Sequence, residues 1–354
     1  MIMHTKKTAP TAANTYQLIP QDNTPFRVNE LDLACENLRC PRFAALRERF
    51  AIDTAVENVS GEFERILALR HWIAERIRID DDNPTRVDHQ DAWYILEAAE
   101  KGGGFHCAHF RLVQQAVMSA YGYVTRCLGV GDGRLEHGRH HGVNEVWVNQ
   151  LGKWVLSDAK YDLHFEKDGV PLSALEMRDE VIKDGAASVQ RAYGPGRKPT
   201  KGDNCGKFET YRWLSWELIG DTFSSFPRHR SSALVFYEDD YTRQHTWYRD
   251  GQPHWAYEGG FFVRTTHRNW IEWTPNVLQS RVAIEDNRAV IALTSCTPNL
   301  KSYQVTTDRG RTWSDCPATY HLDLSPAGWS GAFRCVNLAG VAGPEHRVVI
   351  AAIV

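Results

Sequence analysis

Two stretches decide the fold: GGGFHCAHFRLVQQAVMSAYGYVTRCLGVGDG at 102–133 and HGVNEVWVNQLGKWVLSDAKYD at 141–162. Three consecutive glycines, Gly102 to Gly104, forbid a regular element there. Beyond them Leu112, Val113, Ala116, Val117 and Ala120 recur at helical spacing, which predicts a helix with Cys107 in its opening turn and its end at Gly122. Residues 123–130 read as a strand. Val143, Glu145 and Trp147 then alternate with Asn144, Val146 and Val148, and 153–158 follows across the turn-like 149–152, the pattern of a β-hairpin.

This arrangement suits thiol chemistry. The thiolate is the nucleophilic form of cysteine, and unpaired N–H groups at a helix start favour the anion. The glycines before Cys107 leave room for a substrate backbone, and the Cys107 N–H can point into an oxyanion hole. A loop of even length centred near Gln150 sets 143 opposite 158, so His141 and Asp158 become diagonal neighbours on one face, with Cβ atoms about 7–8 Å apart. A one-residue slip would separate them. With Cys107 as nucleophile, His141 would carry the proton and Asp158 would orient the imidazole. His140 and Asp162 are the nearest rivals, the first turned away by strand alternation and the second beyond the end of the hairpin. Each of these residues alone also fits a bland role, as a buried thiol or as a surface or capping group.

The remaining sequence suggests four segments. Residues 1–60 are polar and proline-punctuated, an arm with a short helix near 41–50. A core spans 61–193, opening with a helix marked by Phe63, Ile66, Leu67, Leu69, Trp72, Ile73 and Ile77. A linker and packing segment covers 194–230, and a β-rich region covers 231–354. In that region eight runs (233–237, 261–265, 280–284, 289–294, 302–306, 320–324, 332–337 and 347–353) suggest an immunoglobulin-like β-sandwich. Asp308-Arg309-Gly310 reads as an ordinary hairpin turn, Cys127 as core, and a bridge among Cys296, Cys316 and Cys335 stays open.

The 354 residues are 42% hydrophobic and 24% charged, which fits folded domains rather than a disordered chain. Lys and Arg number 41 against 44 Asp and Glu, so the net charge of −3 gives no field for nucleic acid or an anionic membrane. No apolar run is long enough for a membrane span, and no export signal follows Met1, which predicts a cytoplasmic protein as written or an exported one if an upstream start is missing.

The two stretches together resemble the transglutaminase-like core of the papain-like cysteine enzymes, of bacterial type. In that family a Gly-x-Cys opens a helix and an Arg-bearing strand follows. A His then stands four residues before a Glu, and a Trp-Val-x-x-Asp run lies on the next strand. Here Cys107, Arg126, His141, Glu145, Trp154 and Asp158 occupy those places, and DGVPLSALEMRD at 168–179 resembles a segment of bacterial members. The resemblance covers about a third of the chain. It implies an α+β fold with helices packed on an antiparallel sheet, and amide-bond chemistry through an acyl-enzyme on a peptide, protein or glycan-linked peptide. No cofactor is implied, and no acidic calcium loop is recognisable. His106 departs from the small or aromatic residue common in the family. Trp72, Gln90 and Trp93 are candidates to complete the oxyanion hole.

Two other readings compete. His106, His109, His137, His140 and His141 offer imidazoles to a transition metal, although their spacing matches no known ligand pair. Alternatively the scaffold binds peptide or carbohydrate without catalysis, using Trp247, Tyr248, Trp255, Tyr257, Trp270 and Trp273, which otherwise fill an interface.

Overall fold

A computed structural model of the chain describes residues 15–132, 140–197, 208–227, 233–245, 248–249, 252–253 and 261–353. The first long helix runs Glu62–Arg76 and buries Ile66, Leu69, Trp72 and Ile73. Helices Arg42–Arg49 and Ala92–Glu100 join it around helix Cys107–Ala120. Twelve of that helix's fourteen residues are buried, so it is a central element rather than a surface one. Its polar residues are accordingly bonded inside: Gln114 Nε2 donates to Ser157 Oγ at 2.6 Å, and Gln115 Nε2 donates to the Gly220 carbonyl. The helix stops at Gly122, whose φ of +80° is a left-handed turn that glycine adopts freely.

A six-stranded sheet backs the helices, in the order Phe261–Thr265, Ala233–Tyr237, Trp213–Glu217, Thr125–Gly131, His140–Val148, Lys153–Ser157. All neighbours are antiparallel except the first two, which are parallel. Val146, Val148 and Val155 pack with the helices, whereas Val143, Trp147, Trp154 and Leu156 pack in a second cluster with Leu163, Phe165 and Leu175. This is the period-two alternation read from the sequence.

The β-rich segment expected to begin at 231 divides differently. Of its eight runs, 233–237 and 261–265 extend the core sheet past the boundary placed at 193, because a short apolar run reads alike in any sheet and does not name its partner. The other six contribute to two packed sheets. One has three strands, Leu278–Glu285, Arg288–Ser295 and Thr319–Asp323. The other has five: Thr15–Ile19, His346–Ile353, Trp329–Asn337, Leu300–Thr306 and Ser314–Cys316. Leu278, Ile291, Leu293, Phe333, Val348 and Ile350 fill the space between them. The expected N-terminal arm is therefore structural at both ends. Thr15–Ile19 is an edge strand paired with His346–Ile353, and Phe43, Leu46, Phe50 and Ile52 lie in the core.

Cys296, Cys316 and Cys335 are free thiols, and Cys127 is buried. Asp308 closes its hairpin by accepting from Thr312 N at 3.0 Å and Thr312 Oγ1 at 2.7 Å. Trp247, Trp255 and Tyr257 lie outside the described residues, while Trp273 is buried with its ring 5.6 Å from that of Trp154. Among the described residues no helix is long and apolar enough to cross a membrane.

Candidate active site

The hairpin places the histidine and the acid. Its register pairs Trp147 with Trp154 and Asn144 with Ser157, which continues to 143 opposite 158. The four-residue loop 149–152 is held from outside by the Glu62 carboxylate, which accepts from Asn149 N at 3.2 Å, Asn149 Nδ2 at 2.7 Å and Gln150 N at 2.7 Å. His141 Nε2 consequently meets Asp158 Oδ2 at 2.7 Å, with side chains only 3% and 1% exposed. The other carboxylate oxygen accepts from Lys160 N at 3.0 Å and Tyr161 N at 3.2 Å, an Asx turn that fixes the acid's direction. Tyr161 sets its ring 5.4 Å from the imidazole. Lys160 lies 4.8 Å over that tyrosine and pairs with Asp81 at 2.7 Å.

Cys107 is the first residue of its helix and is half-buried. The groups whose fields act on its sulfur are His106, His141 and the Gly142 N–H. Burial pushes the thiol up, but His106, His141 with its positive charge and the Gly142 amide outweigh it and bring the group down to about 4. Burial drives His141 down, but the charge and hydrogen bond of Asp158, followed by those of the thiolate, lift it to about 10. Between these limits the pair is a thiolate beside an imidazolium, titrating as a unit. Glycine at 142 is what brings helix and strand together: a Cβ there would stand 3.0 Å from Arg111 Cδ.

Gly104, the last of the glycines before Cys107, serves a different purpose from the one expected. Arg78–Ile79 runs parallel to Gly104–Phe105, and Thr85 N donates to Gly104 O at 2.7 Å. A Cβ on Gly104 would come within 2.6 Å of both Arg78 Nη2 and Asp80 Cβ. The room at Gly104 is thus taken by the chain's own segment, not left for substrate.

His140 is exposed at the strand's start. Asp162 is fully buried but serves another network, accepting from Arg70 Nε at 2.8 Å and lying 2.7 Å from His71 Nδ1. Arg70 Nη1 continues to His164 Nδ1 at 3.2 Å and His164 Nε2 to Glu166 at 2.9 Å. Gly194 crosses so closely that a Cβ would overlap the Asp162 carboxylate. Gly194→Ala is therefore expected to destabilise the fold by about 1–3 kcal/mol through overpacking. Urea denaturation checks this, and an unchanged midpoint would contradict the close approach.

Of the upstream oxyanion candidates, Trp93 Nε1 donates to Glu97 Oε1 at 2.9 Å and Gln90 is exposed. Trp72 Nε1 is buried without a partner. Arg126 and Glu145 pair at 2.7 Å on the same sheet, with Trp154 stacked 3.9 Å from the guanidinium. For the metal reading, His137 lies outside the described residues, and among those described no three His, Cys, Asp or Glu side chains are grouped to hold an ion. The sequence reading missed Lys160, Tyr161 and Gly142 as neighbours of the site. Only the Asp-x-Lys-Tyr order after a strand, an Asx-turn signal, pointed toward Lys160 and Tyr161.

Among solved structures the chain is similar to that of a candidate cysteine protease from Cytophaga hutchinsonii, at 16% identity and a TM-score of 0.28, over 51% of this chain and 58% of that one. No curated protein matches. Residues 50–159, the span that contains Cys107, His141 and Asp158, match the family model for the transglutaminase-like superfamily.

Proposed function

We propose that the protein is a cysteine-dependent amide-bond enzyme, a peptidase or amidase, working through Cys107, His141 and Asp158. The observation that carries this reading is the buried His141 ring, held by Asp158 at 2.7 Å through Nε2, whose charge favours the Cys107 thiolate. With Nε2 engaged by the acid, Nδ1 is the nitrogen left for the sulfur. The thiolate attacks the carbonyl carbon and the C=O electrons move onto oxygen, where the N–H of Cys107 at the helix start favours the negative charge. Collapse expels the amine, which takes the Nδ1 proton, and leaves a thioester. Water then attacks as His141 recovers a proton, releasing the acid and restoring the thiolate. An amine in place of water gives transfer. Resemblance to bacterial members favours hydrolysis of a peptide, protein or glycan-linked peptide. The C-terminal sheets support the immunoglobulin-like reading: in chain order from Leu278, strands one, two and five pair in one sheet and four, three, six and seven in the other.

Mass-spectrometric profiling of peptide mixtures, with and without an added amine, tests the proposal. Cleavage that disappears in Cys107→Ala is expected. Mass gains on glutamine would reassign the reaction to acyl transfer. No change with the unmodified protein would favour a binding scaffold and overturn the enzyme.

A further inference from the structure

We propose that the ion pair between Asp81 and Lys160 is a tie across the site: it holds the segment leading into Cys107 against the turn that carries Asp158, which makes Asp81 a positioning residue for the nucleophile. The inference rests on the thiolate mechanism above and adds to it a contact between two arms of the triad.

Nucleophile and acid arrive on separate pieces of chain. Gly104–Phe105 leads into Cys107, and residues 78–85 clamp that lead-in through the backbone. Arg78–Ile79 pairs with Gly104–Phe105, Asp80 N donates to Phe105 O at 3.0 Å, and Thr85 N donates to Gly104 O at 2.7 Å. Gly104 N in turn donates to Thr85 Oγ1 at 3.0 Å. Asp80 closes the bend between these anchors by accepting from Asn83 N at 2.9 Å. Bend and lead-in are therefore one unit, and Asp81 sits on the bend.

The Asp81 carboxylate reaches out of that unit. Both of its oxygens accept from Lys160 Nζ, at 2.7 and 2.8 Å. Lys160 belongs to the acid's turn, where its N–H donates to Asp158 Oδ1 at 3.0 Å. Its ammonium lies 4.8 Å over the Tyr161 ring, which is itself 5.4 Å from the His141 ring. An exposed ion pair would contribute little here. This one is asymmetric: the Lys160 side chain is 3% exposed and that of Asp81 49%. The buried ammonium has given up water, and stranding it is costly, so the turn holds the bend firmly.

Charge and position give opposite signs when the carboxylate is neutralised. By its field alone, loss of the Asp81 anion favours the Cys107 thiolate and lowers the pH at which it forms. Loosening the tie lets Cys107 drift from the His141 charge that favours the thiolate, which raises that pH.

The test uses the full chain with Asp81→Asn, Lys160→Met and both changes together. Asparagine keeps the shape of the acid, and methionine keeps most of the lysine stem against Tyr161. The rate of Cys107 alkylation by iodoacetamide is followed from pH 3.5 to 10, with the labelled cysteine identified by mass spectrometry and folding checked by thermal unfolding. In Asp81→Asn the acidic midpoint should rise by about half a pH unit or more, a change of about threefold in proton concentration. In the Lys160→Met background, where the tie is already cut, Asp81→Asn should bring no further rise. An Asp81→Asn midpoint that is unchanged or lower, whatever happens to the unfolding temperature, would make the pair a contact of the fold alone and overturn the tie. A rise of equal size in the Lys160→Met background would assign the effect to another partner of Asp81 and overturn it too. An unmodified protein that alkylates only near the ordinary thiol range would instead overturn the thiolate reading itself.

Discussion

His141→Ala should lower amide turnover by about 10³–10⁴-fold, the loss expected when a general acid–base group and the charge beside the nucleophile go together. The same change should slow alkylation of Cys107 at pH 6, because the sulfur loses the imidazolium charge that favours its anion. The sign follows from the two limits. Below about 4 the thiolate is protonated, and above about 10 the imidazolium has lost the proton it must give the leaving amine. Turnover should therefore be bell-shaped between those limits, and removal of His141 should raise the acidic limit and abolish the basic one. Burial alone would push the half-buried sulfur upward, so what remains of the depression in the variant measures the groups other than His141. Alkylation at pH 6 proceeding at the unmodified rate would mean that His141 does not make the nucleophile, and the mechanism would fall with it.

The sequence reveals most about this site where local rules determine position. The three glycines and the apolar repeat predicted where the helix starts, and the structure begins it at Cys107. The alternation at 143–148 and the even loop at 149–152 predicted the register, which the structure holds with the help of Glu62, a residue 87 positions away from Asn149. What the sequence could not show depends on distant partners. Thr15–Ile19 pairs with the far end of the chain, a match no local pattern announces. Trp213–Glu217, Ala233–Tyr237 and Phe261–Thr265 extend the core sheet because their neighbours there, not their composition, select them. Asp158 and Asp162 look alike in sequence, and they are told apart only by the turn between them. Leu163 bonds back to Asp158 through both backbone groups at 3.0 Å, so one acid faces His141 and the other Arg70.

Glu145→Gln should destabilise the protein by about 3–5 kcal/mol while leaving the thiol chemistry of the folded molecule intact. Glu145 stands four residues after His141 on the same strand but points its carboxylate elsewhere. Oε2 accepts from Arg126 Nε at 2.9 Å and Trp216 Nε1 at 2.8 Å, and Oε1 accepts from Ala174 N at 2.8 Å. The carboxylate therefore joins three strands of the core sheet to the helix Ala174–Asp184. Arg126 lies between Trp154 at 3.9 Å and Trp216 at 5.5 Å and donates from Nη1 to Ile271 O at 2.6 Å, so it cannot turn to water when its partner is neutralised. Glutamine fits the space, but its NH₂ must face a donor, leaving one buried donor unpaired beside an uncompensated guanidinium. Such a loss is a large fraction of a typical domain's stability. Urea denaturation at constant m-value measures it, and a double-mutant cycle with Arg126→Met should show coupling, because the second change removes the charge that the first leaves stranded. Additive effects would mean that the pair is not what holds the sheet together. A shift in the pH midpoint of Cys107 alkylation in the folded variant would mean that Glu145 tunes the nucleophile, although none of its hydrogen-bond partners, Arg126, Trp216 and Ala174, is among the groups that act most on the sulfur.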